Sequence, residues 1–330
     1  MLLAGDIGGT KTLIGLFEPA SPRPRPVAVR SFTTLDYAEL AAILAEFIGG
    51  LPEAHRAIDR ACFGVAGPVI DDTATLTNVP WKVDASTLAD RFAFQRIDLL
   101  NDLQAMAYGV TVLESAEVHV LQQGEAVRNG NVGLIAAGTG IGMAMLHRID
   151  GQLVPAASEG GHADFAARTE REIGVLRWLI ARNGRAEVES VVSGRGLLNI
   201  YRVTHSEPCG AVADLGHPDA AAAITAAALG HRCTGCVEAV DIFVEAYGAE
   251  AGNLVLRTVS TAGLFVGGGI APKILPALTD GRFMRAFRNK PPFEALLAAV
   301  PVKVILNDET GLLGAAVYAS RSLKFPGRSG

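Results

Sequence analysis

With 330 residues the chain is longer than one compact core usually holds, so we expect two lobes. Apolar residues make up 49% and charged residues 19%, a balance typical of a packed globular protein and not of a disordered one. The formal net charge of −5 argues against a nucleic-acid partner, because such proteins concentrate Lys and Arg on one face. No apolar run reaches the ~18 residues of a membrane span, and no basic signal region precedes the first strand pattern. We therefore expect a cytoplasmic protein without a membrane partner.

The four cysteines are too few and too scattered for a disulfide framework, so reduced thiols are expected. Cys233 and Cys236 have the C-x2-C spacing that zinc and redox sites use, but a zinc site needs about four ligands. Cys209 lies upstream, and the sequence indicates no fourth ligand beside it. We predict no metal site here. The two thiols of the motif are expected to be incidental, dispensable for folding and free of stoichiometric zinc.

Residues 2–17 predict a strand, a glycine-containing turn and a second strand. Gly8 and Gly9 would let backbone N–H groups approach an anion closely, and Thr10 can add a donor. Asp6 would repel a bare phosphate but suits one that carries Mg²⁺. The alternative interpretation is an ordinary Gly-Gly hairpin turn, because Asp and Thr are also good turn residues.

The next stretch predicts a helix that covers the sheet and a polar loop. Asp36 and Glu39 have the spacing of a capping box, which predicts a helix start. Residues 61–66 predict a buried strand. Asn78 follows in a loop close to Trp81, an amide beside an aromatic ring, which is the pairing that binds polyols. The alternative is a surface turn.

Residues 97–100 predict a short apolar strand that ends in Asn101 and Asp102, with a helical pattern behind them. Open α/β sheets bind their ligands at the carboxyl ends of strands, so this amide and carboxylate are candidates for a site. The alternative is that one of them only caps the following helix, since both residue types do this well.

Residues 132–149 predict a second hairpin of the same kind, with Gly138, Thr139 and Gly140 at its turn. The spacing lacks both the strand-to-helix G-x-G-x-x-G motif and the G-x-x-x-x-G-K-[ST] motif. Two such hairpins, one at the start of each lobe, suggest an internal duplication that clamps a polyphosphate between lobes.

Two further segments contain glycines and polar side chains. Glu159 and His162 flank two glycines in a loop that suits the lining of a hydroxylated ligand, whereas a metal site there would lack ligands. Residues 267–269 are three glycines at a strand end, where a flat ring could lie against the backbone. A plain tight turn is the alternative for the second segment.

Six motifs occur in order along nearly the whole chain: DIGGT at 6–10, LLND at 99–102, AGTGIG at 137–142, EGGHADF at 159–165, SGRGLLNIYR at 193–202 and VGGGIAP at 266–272. In this combination the sequence resembles the bacterial glucokinases, within the actin-like ATPase group of sugar kinases. The resemblance implies an α/β, actin-like (ribonuclease H-like) fold of two lobes with a ligand cleft between them. The small lobe would span 1–108, completed by a C-terminal helix at 309–321, and the large lobe 109–308.

The implied reaction is the ATP-dependent phosphorylation of D-glucose to glucose 6-phosphate at the entry to glycolysis, with Mg²⁺ on the phosphates, in a homodimer formed through the large lobe. Asp102 would be the catalytic base. The implied sugar-binding residues are Asn78, Asn101, Asp102, Glu159, His162 and Glu189. The implied phosphate-binding residues are Gly5, Asp6, Ile7, Gly8, Gly9, Thr10, Gly138, Thr139 and Gly140, and the adenosine would lie on Gly267, Gly268 and Gly269.

The sequence departs from this family at Lys11, where glucokinases often have Asn and the ROK (repressor and kinase) family has the GGTK found here. The cysteine-rich zinc motif of the ROK family is not matched by Cys233 and Cys236, and we find no helix-turn-helix segment that would suggest a repressor. Two alternatives stay open. One is a ROK-type hexose or N-acetylhexosamine kinase of broader specificity, and the other is a sugar-binding regulator without catalytic activity.

Overall fold

The computed structural model describes residues 1–76, 79–212 and 214–321. Contacts divide the chain into two compact units, Met1–Glu114 with Asn307–Gly330, and Ser115–Leu306. The boundaries between the two units therefore fall after residues 114 and 306. The sequence analysis placed them after residues 108 and 308. Within the described ranges, no helix is both long and apolar enough to cross a membrane.

The first unit is an α/β unit built on a five-stranded sheet. Its elements up to residue 114 are β1 (Leu2–Ile7), β2 (Lys11–Glu18), β3 (Arg25–Thr33), α1 (Leu40–Gly49), β4 (Arg60–Val65), β5 (Val69–Ile70), β6 (Thr73–Thr75), β7 (Lys82–Asp84), α2 (Ala85–Phe92), β8 (Arg96–Asn101) and α3 (Asp102–Val110). The large sheet has the order β3-β2-β1-β4-β8, and β5, β6 and β7 form a small antiparallel sheet. Since β1, β4 and β8 are parallel, their carboxyl ends lie at one edge.

The second unit repeats this plan with a six-stranded sheet. Its elements are β9 (Val118–Gln122), β10 (Val132–Ala137), β11 (Ile141–Ile149), β12 (Gln152–Ser158), α4 (Glu170–Asn183), α5 (Gly194–Thr204), α6 (Ala220–Leu229), α7 (Thr234–Thr258), β13 (Gly263–Gly267), α8 (Leu275–Thr279), α9 (Arg282–Arg288), α10 (Glu294–Ala299) and β14 (Val302–Ile305). The strand order is β12-β11-β10-β13-β14-β9. The chain then returns to the first unit for α11 (Thr310–Arg321).

Both predicted glycine hairpins are confirmed, because β1 pairs antiparallel with β2 and β10 pairs antiparallel with β11. Each hairpin leads into parallel neighbours, β4 and β8 in the first unit and β13 and β14 in the second. The carboxyl ends of β1 and β10 therefore reach their turns at the sheet edge where ligands bind in open α/β sheets.

Glycines bring α3 and α11 against each other and against the first sheet. A Cβ on Gly109 would overlap the carbonyl oxygen of Thr310, and a Cβ on Gly314 would overlap that of Ala105. Gly64 in β4 has the same role, since its added Cβ would lie 2.7 Å from the Ala105 Cβ. The close approach brings the N-terminal ends of both helices to the carboxyl edge of the sheet.

The predicted helix start at Asp36 is wrong. Residues Thr34–Asp36 form a single 3₁₀ turn, Tyr37 is extended, and α1 begins only at Leu40. Thr34 is tied to the first glycine turn, where its N–H donates to the Thr10 carbonyl oxygen at 3.0 Å. A helix capped by Asp36 would need helical backbone at Tyr37. Instead Tyr37 is extended, its ring packs edge-on against Phe32, and its hydroxyl donates to Glu46 Oε2 at 2.7 Å.

Candidate active site

The turn between β1 and β2 is held in shape by a buried threonine. The Gly8 N–H donates to the Lys11 carbonyl oxygen at 3.1 Å, closing the turn. The Thr34 hydroxyl donates to the Gly8 carbonyl oxygen at 2.8 Å. The Thr12 hydroxyl lies 2.9 Å from the Thr34 hydroxyl. Thr34 was missed by the sequence analysis. What marks Thr34 as important is that a polar side chain is fully buried, and only the structure shows this burial.

Two carboxylates lie at the carboxyl edge of the first sheet. Asp6 is near the end of β1, and Asp102 follows the end of β8 as the first residue of α3. Burial and the nearby charge of Asp102 raise the pKa of Asp6 to about 6, while Lys11 opposes this shift. A Cβ on Gly311 in α11 would lie 2.6 Å from Asp6 Oδ2. A buried carboxylate whose pKa is also raised by a second carboxylate favours a bound cation or a proton.

Asn101 caps α3, and its predicted role in sugar binding stays a prediction. Its Oδ1 accepts from the Leu103 N–H at 2.9 Å, and Gln104 Oε1 accepts from the Asn101 N–H at 3.3 Å, completing a capping box. Its Nδ2 donates to the Gly67 carbonyl oxygen at 3.3 Å, which joins the ends of β8 and β4. Asp102 Oδ1 also accepts from the Leu103 N–H, at 2.8 Å. The Asp102 carboxylate therefore lies at the N-terminal end of α3 and is hydrogen-bonded to the helix backbone.

The predicted sugar ligand Asn78 lies outside the described residues, so its prediction stays open.

The second glycine turn is held by residues far along the chain. The Gly138 N–H donates to the Gly140 carbonyl oxygen, and the Gly138 carbonyl oxygen accepts from the Gly194 N–H at the start of α5, both at 2.8 Å. The Ile141 N–H donates to Glu189 Oε2 at 3.0 Å. A Cβ on Gly140 would overlap that carboxylate. Glu189, predicted to bind sugar, thus contacts the predicted phosphate turn.

The third glycine segment lies beside the second, and Tyr247 of α7 joins them. The buried Tyr247 hydroxyl accepts from the Ala137 N–H at 3.2 Å and lies 3.2 Å from the Gly267 carbonyl oxygen. Gly268 has φ +82°, and a Cβ there would overlap the Ala137 carbonyl oxygen, so only glycine fits. The sequence analysis did not identify this role of Tyr247.

The predicted sugar-binding loop runs alongside residues 187–189. The Val188 N–H donates to the Ala163 carbonyl oxygen at 2.9 Å, and His162 Nδ1 lies 3.2 Å from Glu187 Oε2. One ligand atom from each of His162, Glu187 and Glu189 falls within 4.8 Å of the others. The structure thus brings His162 and Glu189 together and adds Glu187, which the sequence analysis missed. Glu159 directly precedes the 3₁₀ turn Gly160–His162.

The premise behind the prediction for the cysteine motif is wrong. Cys233 and Cys236 do have further ligands beside them, because Cys209 and His205 fold back against both thiols. These partners were missed because each lies 27 or 28 residues from the thiol that it contacts most closely.

Three comparisons place this geometry among known proteins. A family model described as Glucokinase matches residues 3–322. The glucokinase of Nostoc punctiforme is 38% identical over 341 residues, covering 97% of this chain and 99% of the relative. The crystal structure of a glucokinase from an Antarctic psychrotroph superposes with a TM-score of 0.86 at 28% identity, covering 97% of this chain and 98% of that one.

A ROK family glucokinase from Streptomyces griseus, solved in complex with glucose and AMPPNP, has a TM-score of 0.65 at 21% identity and covers 97% of this chain and 99% of its own. At that identity the likeness shows the fold alone. The predicted fold class, the actin-like α/β fold of sugar kinases, is confirmed.

Proposed function

The chain belongs to the glucokinase family, and we propose that it transfers the γ-phosphoryl group of ATP to the 6-hydroxyl of D-glucose, giving glucose 6-phosphate and ADP. The observation that carries this proposal is the pair of carboxylates at one sheet edge, Asp102 at the start of α3 and Asp6 beside the β1–β2 glycine turn. One carboxylate supplies a base and the other lies beside a turn suited to phosphate.

Asp102 acts as the general base in this proposal. It accepts the proton of the 6-hydroxyl while the sugar oxygen bonds to phosphorus and the bond from phosphorus to the ADP oxygen breaks. The base must be ionised before the reaction, and the N-terminal end of α3 favours that state through its dipole and the Leu103 N–H. Asn101 and its capping box fix the helix start, so they position the carboxylate.

Asp6 suits the Mg²⁺ that accompanies ATP. Its carboxylate is held near a second carboxylate, and this repulsion is relieved by a divalent cation. When bound, the ion neutralises charge on the phosphate oxygens. The backbone N–H groups of the turn, shaped by Thr34, would donate to the same phosphates.

In the second unit we assign the phosphates to residues 138–140 and the adenosine to residues 267–269. Both segments depend on Tyr247, whose hydroxyl is the acceptor for the Ala137 N–H. Tyr247→Phe leaves this buried N–H without its acceptor, and we expect a several-fold higher KM for ATP with little change in the KM for glucose. Steady-state kinetics with each substrate varied in turn measures this. Tyr37→Phe, which removes an exposed hydroxyl bound to Glu46, is the control and keeps both KM values.

Glu159, His162 and Glu189 are assigned to glucose hydroxyls. A site built to pair a hydroxyl rejects an analogue that misplaces it by up to ~10⁴-fold, so selectivity among epimers is expected to be steep. Glu159→Gln and Glu189→Gln should raise the KM for glucose and change the ratios of kcat/KM between glucose, mannose and N-acetylglucosamine. Asp164→Asn is a matched control on the same loop, since that side chain is 84% exposed.

The alternative is that Glu189 only holds the second glycine turn in shape. The contact of Glu189 with the Ile141 N–H favours this alternative. In that case Glu189→Gln lowers the Tm and raises the KM for ATP while the epimer ratios stay unchanged. Unchanged ratios in both glutamine variants would retire the assignment of the sugar site.

The direct test is turnover by the purified full chain, followed through the ADP formed with pyruvate kinase and lactate dehydrogenase as the coupling enzymes, so that every acceptor is measured alike. We expect glucose and ATP to be turned over, and a panel of hexoses and N-acetylhexosamines to be poor acceptors. Preference for an N-acetylhexosamine would support a ROK-type kinase instead. Glucose binding by calorimetry without any turnover would identify a regulator and contradict the proposal.

The proposal also includes a homodimer and a cytoplasmic location, both of which rest on the family relationship. Light scattering of the purified chain measures its mass, and a monomer at micromolar concentration would contradict the dimer.

A further inference from the structure

Four side chains of residue types that bind metals converge in the second unit, between the end of α5 and the start of α7. His205 directly follows α5, Cys209 lies in the next loop, and Cys233 and Cys236 stand at the first turn of α7. His205 Nε2 lies 3.2 Å from Cys233 Sγ and 3.9 Å from Cys236 Sγ, and the Sγ atoms of Cys209 and Cys236 are 3.7 Å apart. All four ligand atoms fall within 4.8 Å of one another.

These separations match a tetrahedral zinc ion. With zinc–sulfur bonds of ~2.3 Å and zinc–nitrogen bonds of ~2.0 Å, two sulfurs lie ~3.8 Å apart and a sulfur and a nitrogen ~3.5 Å apart. The observed sulfur–sulfur distance of 3.7 Å agrees with the first of these separations. The two nitrogen–sulfur distances, 3.2 and 3.9 Å, lie on either side of the ~3.5 Å expected for a sulfur and a nitrogen. A disulfide would need sulfurs at ~2.05 Å, so the thiols are not arranged as a covalent pair.

The surroundings orient His205 and Cys209 as outer-shell partners do in zinc sites. His205 Nδ1 lies 3.1 Å from the Tyr201 carbonyl oxygen, so Nδ1 carries the proton and the Nε2 lone pair faces the thiols. The Tyr201 ring stacks on the imidazole with centroids 3.8 Å apart, and its hydroxyl accepts from the Cys209 N–H at 2.9 Å. Gly235 completes the fit, because a Cβ there would lie 2.6 Å from the imidazole Cε1.

We propose that His205, Cys209, Cys233 and Cys236 bind one Zn²⁺ in a closed, four-coordinate structural site. Four protein ligands leave no position for water or substrate, and three thiolates with an imidazole form a set that selects zinc. The three thiols bind as thiolates and release their protons to solvent. The ion would tie the end of α5 and its following loop to the start of α7.

The site braces both helices that contact the glycine turns. At its other end, α5 donates from Gly194 to the Gly138 carbonyl oxygen, and α7 carries Tyr247. The zinc ion is therefore expected to stabilise the second unit without touching a reacting group.

The test is metal analysis of the full chain, expressed with zinc, purified under reductant and without a polyhistidine tag. We expect one zinc per chain, falling to near zero in Cys209→Ser and in Cys236→Ser, whereas Cys62→Ala in the first unit keeps the full content. Replacement of zinc by Co²⁺ should give thiolate-to-metal charge-transfer bands and the intense visible bands of tetrahedral cobalt. Removal of the metal by a chelator should lower the Tm.

Wild-type protein that is folded but contains no zinc after incubation with zinc and reductant would overturn the proposal. A disulfide bond between Cys209 and Cys236, found by peptide mapping of protein purified under reductant, would also overturn the zinc proposal. If the serine variants do not fold, the wild-type stoichiometry and the cobalt spectrum still decide. These readouts are independent of kinase activity, so they stand apart from the proposed function.

Discussion

Replacing Asp102 by Asn is expected to lower kcat by ~10²-fold or more, the range for loss of a general base. The amide keeps the size of the side chain and can still accept from the Leu103 N–H, so α3 should keep its start. Since the change removes an interaction made in the transition state, the KM for glucose should change little while kcat and kcat/KM fall together. Steady-state kinetics with glucose and ATP measure both parameters.

Asp98→Asn is the matched control on the same strand. Its carboxylate is paired with Arg96, and the substitution should leave kcat within a factor of two or so of wild type, as expected for a site away from the chemistry. Near-wild-type turnover by Asp102→Asn would contradict the assignment of the base.

Asp6→Asn should stabilise the protein and impair the enzyme at once. The pKa of Asp6 is raised from 3.8 to about 6, so between these values the folded state binds more protons than the unfolded state. The free energy of unfolding therefore falls as the pH rises through this window. Above pH 6 the loss of stability caused by the ionised Asp6 carboxylate stays constant. At 1.36 kcal/mol per pH unit, the cost at pH 7 is at most about 3 kcal/mol.

Asparagine removes this cost because it has no charge to bury. The free energy of unfolding of Asp6→Asn should exceed that of wild type by up to about 3 kcal/mol at pH 7, with the difference vanishing near pH 4. Urea titrations at pH 4, 5, 6 and 7 measure it. Asp36→Asn, at an exposed side chain, is the control for the loss of a carboxylate as such.

The activity of the same variant tests the assigned role. Loss of the carboxylate should raise the KM for Mg-ATP and lower kcat, and wild-type kcat/KM for ATP should fall as the pH drops below about 6 because Asp6 becomes protonated. A variant that is more stable yet fully active would show that Asp6 does not serve Mg-ATP.

The sequence by itself determined the hairpins, the ends of the strands and the family. A glycine turn between two alternating patterns specifies a local structure, and the pairings of β1 with β2 and of β10 with β11 follow from it. The position of Asn101 and Asp102 at a strand end was predictable for the same reason, since it depends on one apolar run and the helix behind it.

Other local patterns failed where a distant contact competed. Asp36 and Glu39 have the spacing of a helix start, yet Tyr37 is extended, with its ring against Phe32 and its hydroxyl on Glu46, and α1 begins later. A capping box gains only ~1 kcal/mol, so one tertiary contact is enough to displace it.

Only the tertiary structure decided which distant side chains meet. Tyr247 and Glu189 contact the same turn from 110 and 48 residues along the chain, and His205 reaches Cys233 across 28. Periodicity carries information about neighbours within a helix or strand and none about which loop folds onto which helix. The C-x2-C motif therefore looked incomplete in the sequence, and the fold supplies its two missing ligands because packing of α5 against α7 brings His205 and Cys209 to the same point.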